Sequence, residues 1–288
     1  MIQVPEKRAA RGAVLSDLHL FTDRSTAHQH LEEIHETAAA SDLFIFNGDT
    51  FDFAWSHHRR FEKSVGAAIE WITDLTTEHP HCSFVYLLGN HDGIALFKEA
   101  LSRLTATRPN LYWEPYHLQL GRKMFLHGDA LHSCTTPEHL EAYRQKWDKP
   151  EQTHRKLTAR AYRMAAYAGI PTVLIRLNSK RRCARRILCY LRSSLDCDAR
   201  SVEEVYFGHT HRAFEDYKYH NRTFHNTGAA LTRVRLNILH FEFSGEPLQF
   251  SDGREVACDL QPADAIRPDP AQDCEPPSDE DRGNPGSS

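Results

Sequence analysis

The first half of the chain alternates between two spacings of apolar residues. Ala13 to Ser16, Leu43 to Phe46 and Ser83 to Leu88 are short, nearly continuous apolar runs. Between them, apolar positions recur every three or four residues. Leu31, Ile34, His35 and Ala38 share one face of a stretch over about 26–40, and Val65, Ala68, Ile69, Ile72 and Leu75 share one over about 61–77. The runs predict strands buried on both faces, and the wider spacing predicts helices with one apolar side. Strands alternating with helices of this length imply βαβ units and a parallel sheet. From Tyr116 the pattern turns to short strands, over 116–120, 123–126, 202–207, 214–220, 222–224 and 233–243. Pro137 to Leu195 keeps helical spacing without strand signals and reads as an inserted helical lid. The expected organisation is a core of 1–131 and 201–261, a lid of 132–200, and an acidic, disordered tail of 262–288 rich in Pro, Asp, Glu, Gly and Ser.

Polar groups of a few kinds collect where the predicted strands end, the place at which α/β sheets present ligands. Asp17, Asp49 and Asn90 each follow an apolar run. A turn explains Gly, Asn and Asp at such positions, but not the His that comes close behind. The strings are Asp17-Leu18-His19, Gly48-Asp49-Thr50-Phe51-Asp52, Gly89-Asn90-His91-Asp92, His127-Gly128-Asp129 and Gly208-His209-Thr210-His211. Alone, a DxH or HxH triplet is more often a solvated loop than a ligand set, and the GNHD string is moderately specific. All of them in one chain, each after a predicted strand, point to a metal centre. Two divalent ions ~3.5–4 Å apart need an anionic ligand between them and several His, Asn or Asp donors around them. Mixed imidazole and carboxylate ligation suits Zn, Mn or Fe better than Mg or Ca.

These strings resemble the motif series of the calcineurin-like metallophosphoesterases: DxH, GDxxD, GNHD, HGD and GHxH. The resemblance implies a four-layer α/β/β/α sandwich with metals at the sheet edges. It implies that Asp17, His19 and His211 hold one ion, that Asn90, His127 and His209 hold the other, and that Asp49 bridges them. His91 would be the catalytic acid, with Asp52 or Asp92 orienting it, and Arg212 is a candidate phosphate clamp. Activated water would then attack phosphorus in line. Asn226-Thr227-Gly228 is similar to a late Asn-x-Gly turn of the same group. The placing of the lid, with stretches such as Ala142 to Trp147, is also similar to the UDP-diacylglucosamine pyrophosphohydrolases, which commonly carry Arg where this chain has His91.

Composition changes the picture little. A net charge of −4 over 288 residues makes no general case for nucleic acid. The seven Cys form no CxxC pair, which favours a reducing compartment over a disulfide framework. Met1 to Arg11 lacks the apolar core of a secretion signal, and no run nears the ~20 apolar residues of a membrane span, so a cytoplasmic location is expected. One local charge pattern stands out. Arg176, Lys180, Arg181, Arg182, Arg185, Arg186 and Arg192 occur without an intervening acid, beside apolar residues at helical spacing. Such a segment is either a helix packed on the core with a solvated basic face or a surface for an anionic membrane or substrate. The expectation is a metal-dependent hydrolase of a phosphorylated small molecule or glycolipid, a UDP-linked one being the finer reading. The alternatives are a phosphodiesterase or nuclease acting on nucleotides and a catalytically silent binding scaffold.

Overall fold

A computed structural model describes residues 10–58, 60–132, 137–148, 179–194 and 201–243. The middle of the expected lid and the acidic tail lie outside these residues. Strands β1 (Ala10–Leu15), β2 (Leu43–Asn47), β3 (Ser83–Leu87) and β4 (Leu111–Glu114) run parallel, and β10 (Leu239–Phe243) joins antiparallel to β1, giving the order β10-β1-β2-β3-β4. The second sheet contains β5 (His117–Leu120), β6 (Lys123–Leu126), β7 (Glu204–Phe207), β8 (Phe214–Tyr219) and β9 (Arg222–Asn226), in the order β5-β6-β7-β9-β8. Its central strands β6, β7 and β9 are parallel. The described helices are α1 (Leu31–Ala40), α2 (Phe61–Glu78), α3 (Ala95–Thr105), α4 (Pro137–Arg144) and α5 (Lys180–Ser194).

Alternation along the strands sorts the core into three layers of side chains. Ala13 and Leu15 of β1, Phe44 and Phe46 of β2, and Phe84 and Tyr86 of β3 pack against Ile34 and Ala38 of α1, Val65 and Ile72 of α2, and Phe97 and Leu101 of α3. Their neighbours Val14, Ile45, Val85 and Leu87 point the other way and meet Leu118, Leu120, Phe125 and Tyr206 of the second sheet. Met124, Leu126, Val205 and Phe207 then face Leu140 of α4 and Ala184, Ile187, Leu188 and Leu191 of α5. The order is therefore helix, sheet, sheet, helix, as the motif resemblance implies.

Three elements differ from the pattern reading. Helix α3 lacks a local start signal: its N-cap residue Ile94 makes no side-chain cap, and the Ala95 N–H donates instead to Asp148 Oδ2 at 3.1 Å. That cap comes from far along the chain, so no short window of sequence reveals it. Strand β4 has no alternation, since Tyr112 and Trp113 are both half-buried, and its pairing with β3 defines it. The last strand begins at Leu239 and not at Arg233, because Leu236 leaves the ladder to make a bridge with Gly228.

Helix α5 carries the basic run. Its apolar side is spent in the core, and Arg181, Arg182, Arg185 and Arg192 are exposed, so it is a layer of the sandwich with a charged outer face. No helix among the described residues is long and apolar enough to cross a membrane.

Candidate metal centre

Parallel strands deliver the motif residues to one end of each sheet. β1, β2 and β3 end just before Asp17, Asp49 and Asn90, while β6 and β7 end just before His127 and His209. Loop-to-loop hydrogen bonds lock these ends together. The Asp17 N–H donates to Gly48 O at 3.0 Å, the His19 N–H to Asp49 O at 3.0 Å, and the Gly208 N–H to His127 O at 2.9 Å. The sheets are joined as well, because the His209 N–H donates to Asp17 Oδ2 at 2.9 Å.

Three donor groups result: two match the expected ion sites, and the third joins His19 to Asp52 and His91. In the first, Asp17 Oδ1 lies 3.1 Å from His211 Nε2 and 3.7 Å from His19 Nε2, and the two imidazole nitrogens are 3.2 Å apart. In the second, Asp49 Oδ2 lies 3.2 Å from His127 Nε2, with His209 completing the group. Asp49 also accepts the His91 N–H through Oδ1 at 2.8 Å. The His91 ring sits 3.1 Å from Asp52 Oδ1 through Nδ1 and packs against Trp147 at 4.4 Å between centroids. Of the two acids expected to orient His91, Asp52 is the neighbour. Asp92 turns away and accepts from the Gly89 and Thr50 N–H groups and the Tyr86 hydroxyl at 2.7, 3.0 and 2.6 Å, which ties the β2 and β3 loops together. Arg212 is half-buried beside α5, where its charge acts on the Cys183 thiol.

The electrostatics are those of a dense, buried ionic group. Burial alone would raise Asp17 and Asp49, but the surrounding imidazoles hold both carboxyls well below their usual range. Burial would likewise lower His127, yet Asp49 pushes it up to about 10. His209 goes the other way, down to about 3, because burial is reinforced by the charge of His127. Burial also depresses His211, whereas Asp17 and Asp52 override it at His19 and raise that ring.

Residues 11–213 match the sequence profile of the family described as Calcineurin-like phosphoesterase. The chain belongs to the calcineurin-like phosphoesterase family. No curated protein matches it. Among solved structures it is similar to phosphopantetheinyl hydrolase (PptH) from Mycobacterium tuberculosis, at 14% identity over 77% of this chain and 91% of that one, with a TM-score of 0.36. A second crystal structure is similar at 11% identity over 82% of this chain and 100% of the other, with a TM-score of 0.37.

The donor set of this calcineurin-like phosphoesterase fits the metal dependence of its family. Asp17 Oδ1 and His127 Nε2 are enclosed and face other donor atoms of their own clusters, and Asn90 Oδ1 is enclosed without a hydrogen-bond partner. Polar atoms left so cost about 1–3 kcal/mol each, and a carboxylate oxygen, an amide oxygen and an imidazole nitrogen are what a divalent cation takes. His127 is oriented for that purpose: its Nδ1 donates to Asn47 O at 3.1 Å, so Nε2 is the nitrogen turned toward Asp49, and it would ligate once a cation displaces its proton.

Among the other neighbours, His132 had no strand-end signal in the sequence, whereas the Asn226-Thr227-Gly228 turn did. His132, on a short 3-10 turn after β6, brings its Nε2 to 2.8 Å from His209 Nε2. Ser16 Oγ bonds the Asp17 carboxylate and lies 2.5 Å from Thr227 Oγ1. Asn226 donates to Gly208 O at 2.8 Å, and its Oδ1 accepts the Gly228 N–H at 3.0 Å, so this turn braces the loop carrying His209 and His211. Trp55, His57 and His58 follow the Asp49 loop, and both of those His rings pack against Phe21, 6.1 and 5.1 Å away.

Proposed function

We propose that this chain hydrolyses a phosphate ester or pyrophosphate with two divalent cations. Asp17, His19 and His211 would hold one, Asn90, His127 and His209 the other, and Asp49 would lie between them. The observation that carries this reading is the pair of buried clusters, Asp17 with His19 and His211 and Asp49 with His127 and His209, in each of which a carboxylate oxygen and two imidazole nitrogens converge within 4.8 Å of one another. The cations would supply Lewis-acid polarisation of the phosphoryl group and a water acidic enough to attack at neutral pH.

To the protein's own groups we assign positioning and proton transfer. His91 approaches the transferring phosphoryl group and donates a proton to the leaving oxygen, a role supported by its ring lying 5.1 Å from that of His19 with Asp52 at its Nδ1. Asp52 fixes the ring from the Nδ1 side, and Trp147 packs against the ring and limits its rotation. As the finer reading we propose a UDP-linked glycolipid, on the resemblance of motif order and insertion.

Protein stripped by chelation should regain turnover when Mn²⁺, Zn²⁺ or Mg²⁺ is added in turn, assayed on phosphomonoesters, linear and cyclic nucleotides and a UDP-linked lipid. Full activity with metal content measured as zero would overturn the metal reading. Turnover of nucleotide diesters alone would remove the glycolipid.

A further inference from the structure

Away from the centre, between the middle of α1 and the C-terminal end of α2, a further group of metal-ligating side chains converges. His35 Nδ1 lies 3.0 Å from Glu78 Oε2 and 3.2 Å from His79 Nε2, and the three donor atoms all fall within 4.8 Å of one another. Bonds of about 2.0–2.1 Å to a tetrahedral cation place neighbouring donors about 3.3 Å apart. The two measured separations are close to that edge. Two imidazoles and one carboxylate, with a side open to water, form a donor set for a borderline divalent ion such as Zn²⁺.

The group is also held in advance. The His79 N–H donates to Leu75 O at 3.2 Å, and its carbonyl accepts from the Cys82 N–H at 3.1 Å and from Asn110 Nδ2 at 3.3 Å. His81 Nε2, 3.1 Å from Ala39 O, ties the same loop to the end of α1. His79 is buried at 9% exposure, whereas the His35 and Glu78 side chains are 38% and 59% exposed, so the donors meet solvent on one side. A rigid backbone spends little ordering entropy on binding, which favours a site over a chance meeting of polar groups.

We propose that His35, Glu78 and His79 bind a Zn²⁺-class cation that clips α1 to α2. This site is independent of the catalytic reading and stands or falls without it. Its consequence is one extra equivalent of metal and a fold that tightens in Zn²⁺.

The test uses the full chain, stripped by chelation and then equilibrated with Zn²⁺ and desalted. Metal per chain and thermal midpoint are measured for the wild type, His35→Gln and Glu78→Gln. His35 and Glu78 are exposed enough for both variants to fold, and circular dichroism checks that they do. The expected result is one equivalent of Zn²⁺ fewer in His35→Gln than in the wild type, together with loss of part of the Zn²⁺-induced rise in midpoint. Glu78→Gln should bind that equivalent more weakly. Turnover of a small ester in Mn²⁺ should stay at the wild-type level for both. Equal Zn²⁺ content and equal midpoint shifts in all three proteins would overturn the proposal.

Discussion

Asp17, His19, Asp49, His209 and His211 all stand on backbone in the left-handed region, with φ of 56, 46, 52, 60 and 55°. Asp and His tolerate that region better than most residues, yet such conformations persist only where surroundings over-determine them, at about 1–3 kcal/mol each. Here the strand-end loops hold them, and two glycines make room. A Cβ on Gly89 would overlap the Asp49 carboxylate, and one on Gly208 would overlap Asp17 and Ser16. The glycines of the GNHD and GHTH strings therefore serve close approach as much as turning. Two substitutions separate binding from chemistry. Asp49→Ala removes the carboxylate assigned to both cations, so metal content should fall towards zero while circular dichroism keeps its native form. Retention of both ions would put the bridge elsewhere. His91→Ala should keep its metal and lose about 10²–10⁴ in kcat, and metal lost in step with activity would make His91 a ligand. The strand-end donors were legible because a buried strand is an apolar run and the donor follows it directly. His132 and Trp147 were not, because their approach to His209 and His91 is made by folding across long separations and leaves no local pattern.

Among the elements, α4 shows why a helical segment inserted between core strands need not be a cover. Its last residue, Arg144, is buried at 2% exposure and makes paired bonds to Asp129, at 2.7 and 3.1 Å, with a further bond to Pro115 O. Asp129 belongs to the HGD string, so α4 braces the loop that follows β6. Just beyond it, Trp147 packs on His91 and Asp148 caps α3. The stretch over 142–147, legible in the sequence only as a loose family likeness, thus has a structural task of its own. Removing one partner of a buried, hydrogen-bonded ion pair typically costs about 3–5 kcal/mol, because the other charge is left unpaired. Arg144→Ala should lower the unfolding free energy, measured by urea titration, by an amount of that size. Arg144→Lys should recover little of it, since an ammonium cannot reproduce the two-pronged contact. A shift under about 1 kcal/mol would show that water replaces the guanidinium and that α4 is held by Leu140 and its apolar neighbours alone. The helices α1 and α2 and the strands β2, β3 and β6 were legible from spacing alone, because each buries a continuous face. α3 and β4 were hidden because a distant cap and a neighbouring strand define them.

At the scale of the whole molecule, the two sheets meet in an apolar layer, and the candidate centre sits where their strand ends come together. The donors are shared between them: Asp17, His19, Asp49 and Asn90 come from the first sheet, His127, His209 and His211 from the second. On the assignment proposed above, each cation takes ligands from both sheets, so metal binding and sheet packing are linked. A cation present at about 100 times its dissociation constant stabilises the state that binds it by about 2.7 kcal/mol. Two of them give about 5 kcal/mol, and in a domain of this size each kcal/mol moves the thermal midpoint by about 2–4 °C. Chelation should therefore lower the midpoint by on the order of 10 °C, and added Mn²⁺ should restore it. Mn²⁺ is the right ion for this measurement because it binds His-rich sites more weakly than Zn²⁺ and leaves the α1–α2 group largely empty. Asp49→Ala provides the control: lacking the shared ligand, it should start with a midpoint near that of the chelated wild type and respond little to Mn²⁺. If the wild-type midpoint is the same with and without metal, the cations do not join the sheets. The ligands would then have to be reassigned so that each ion sits on one sheet alone.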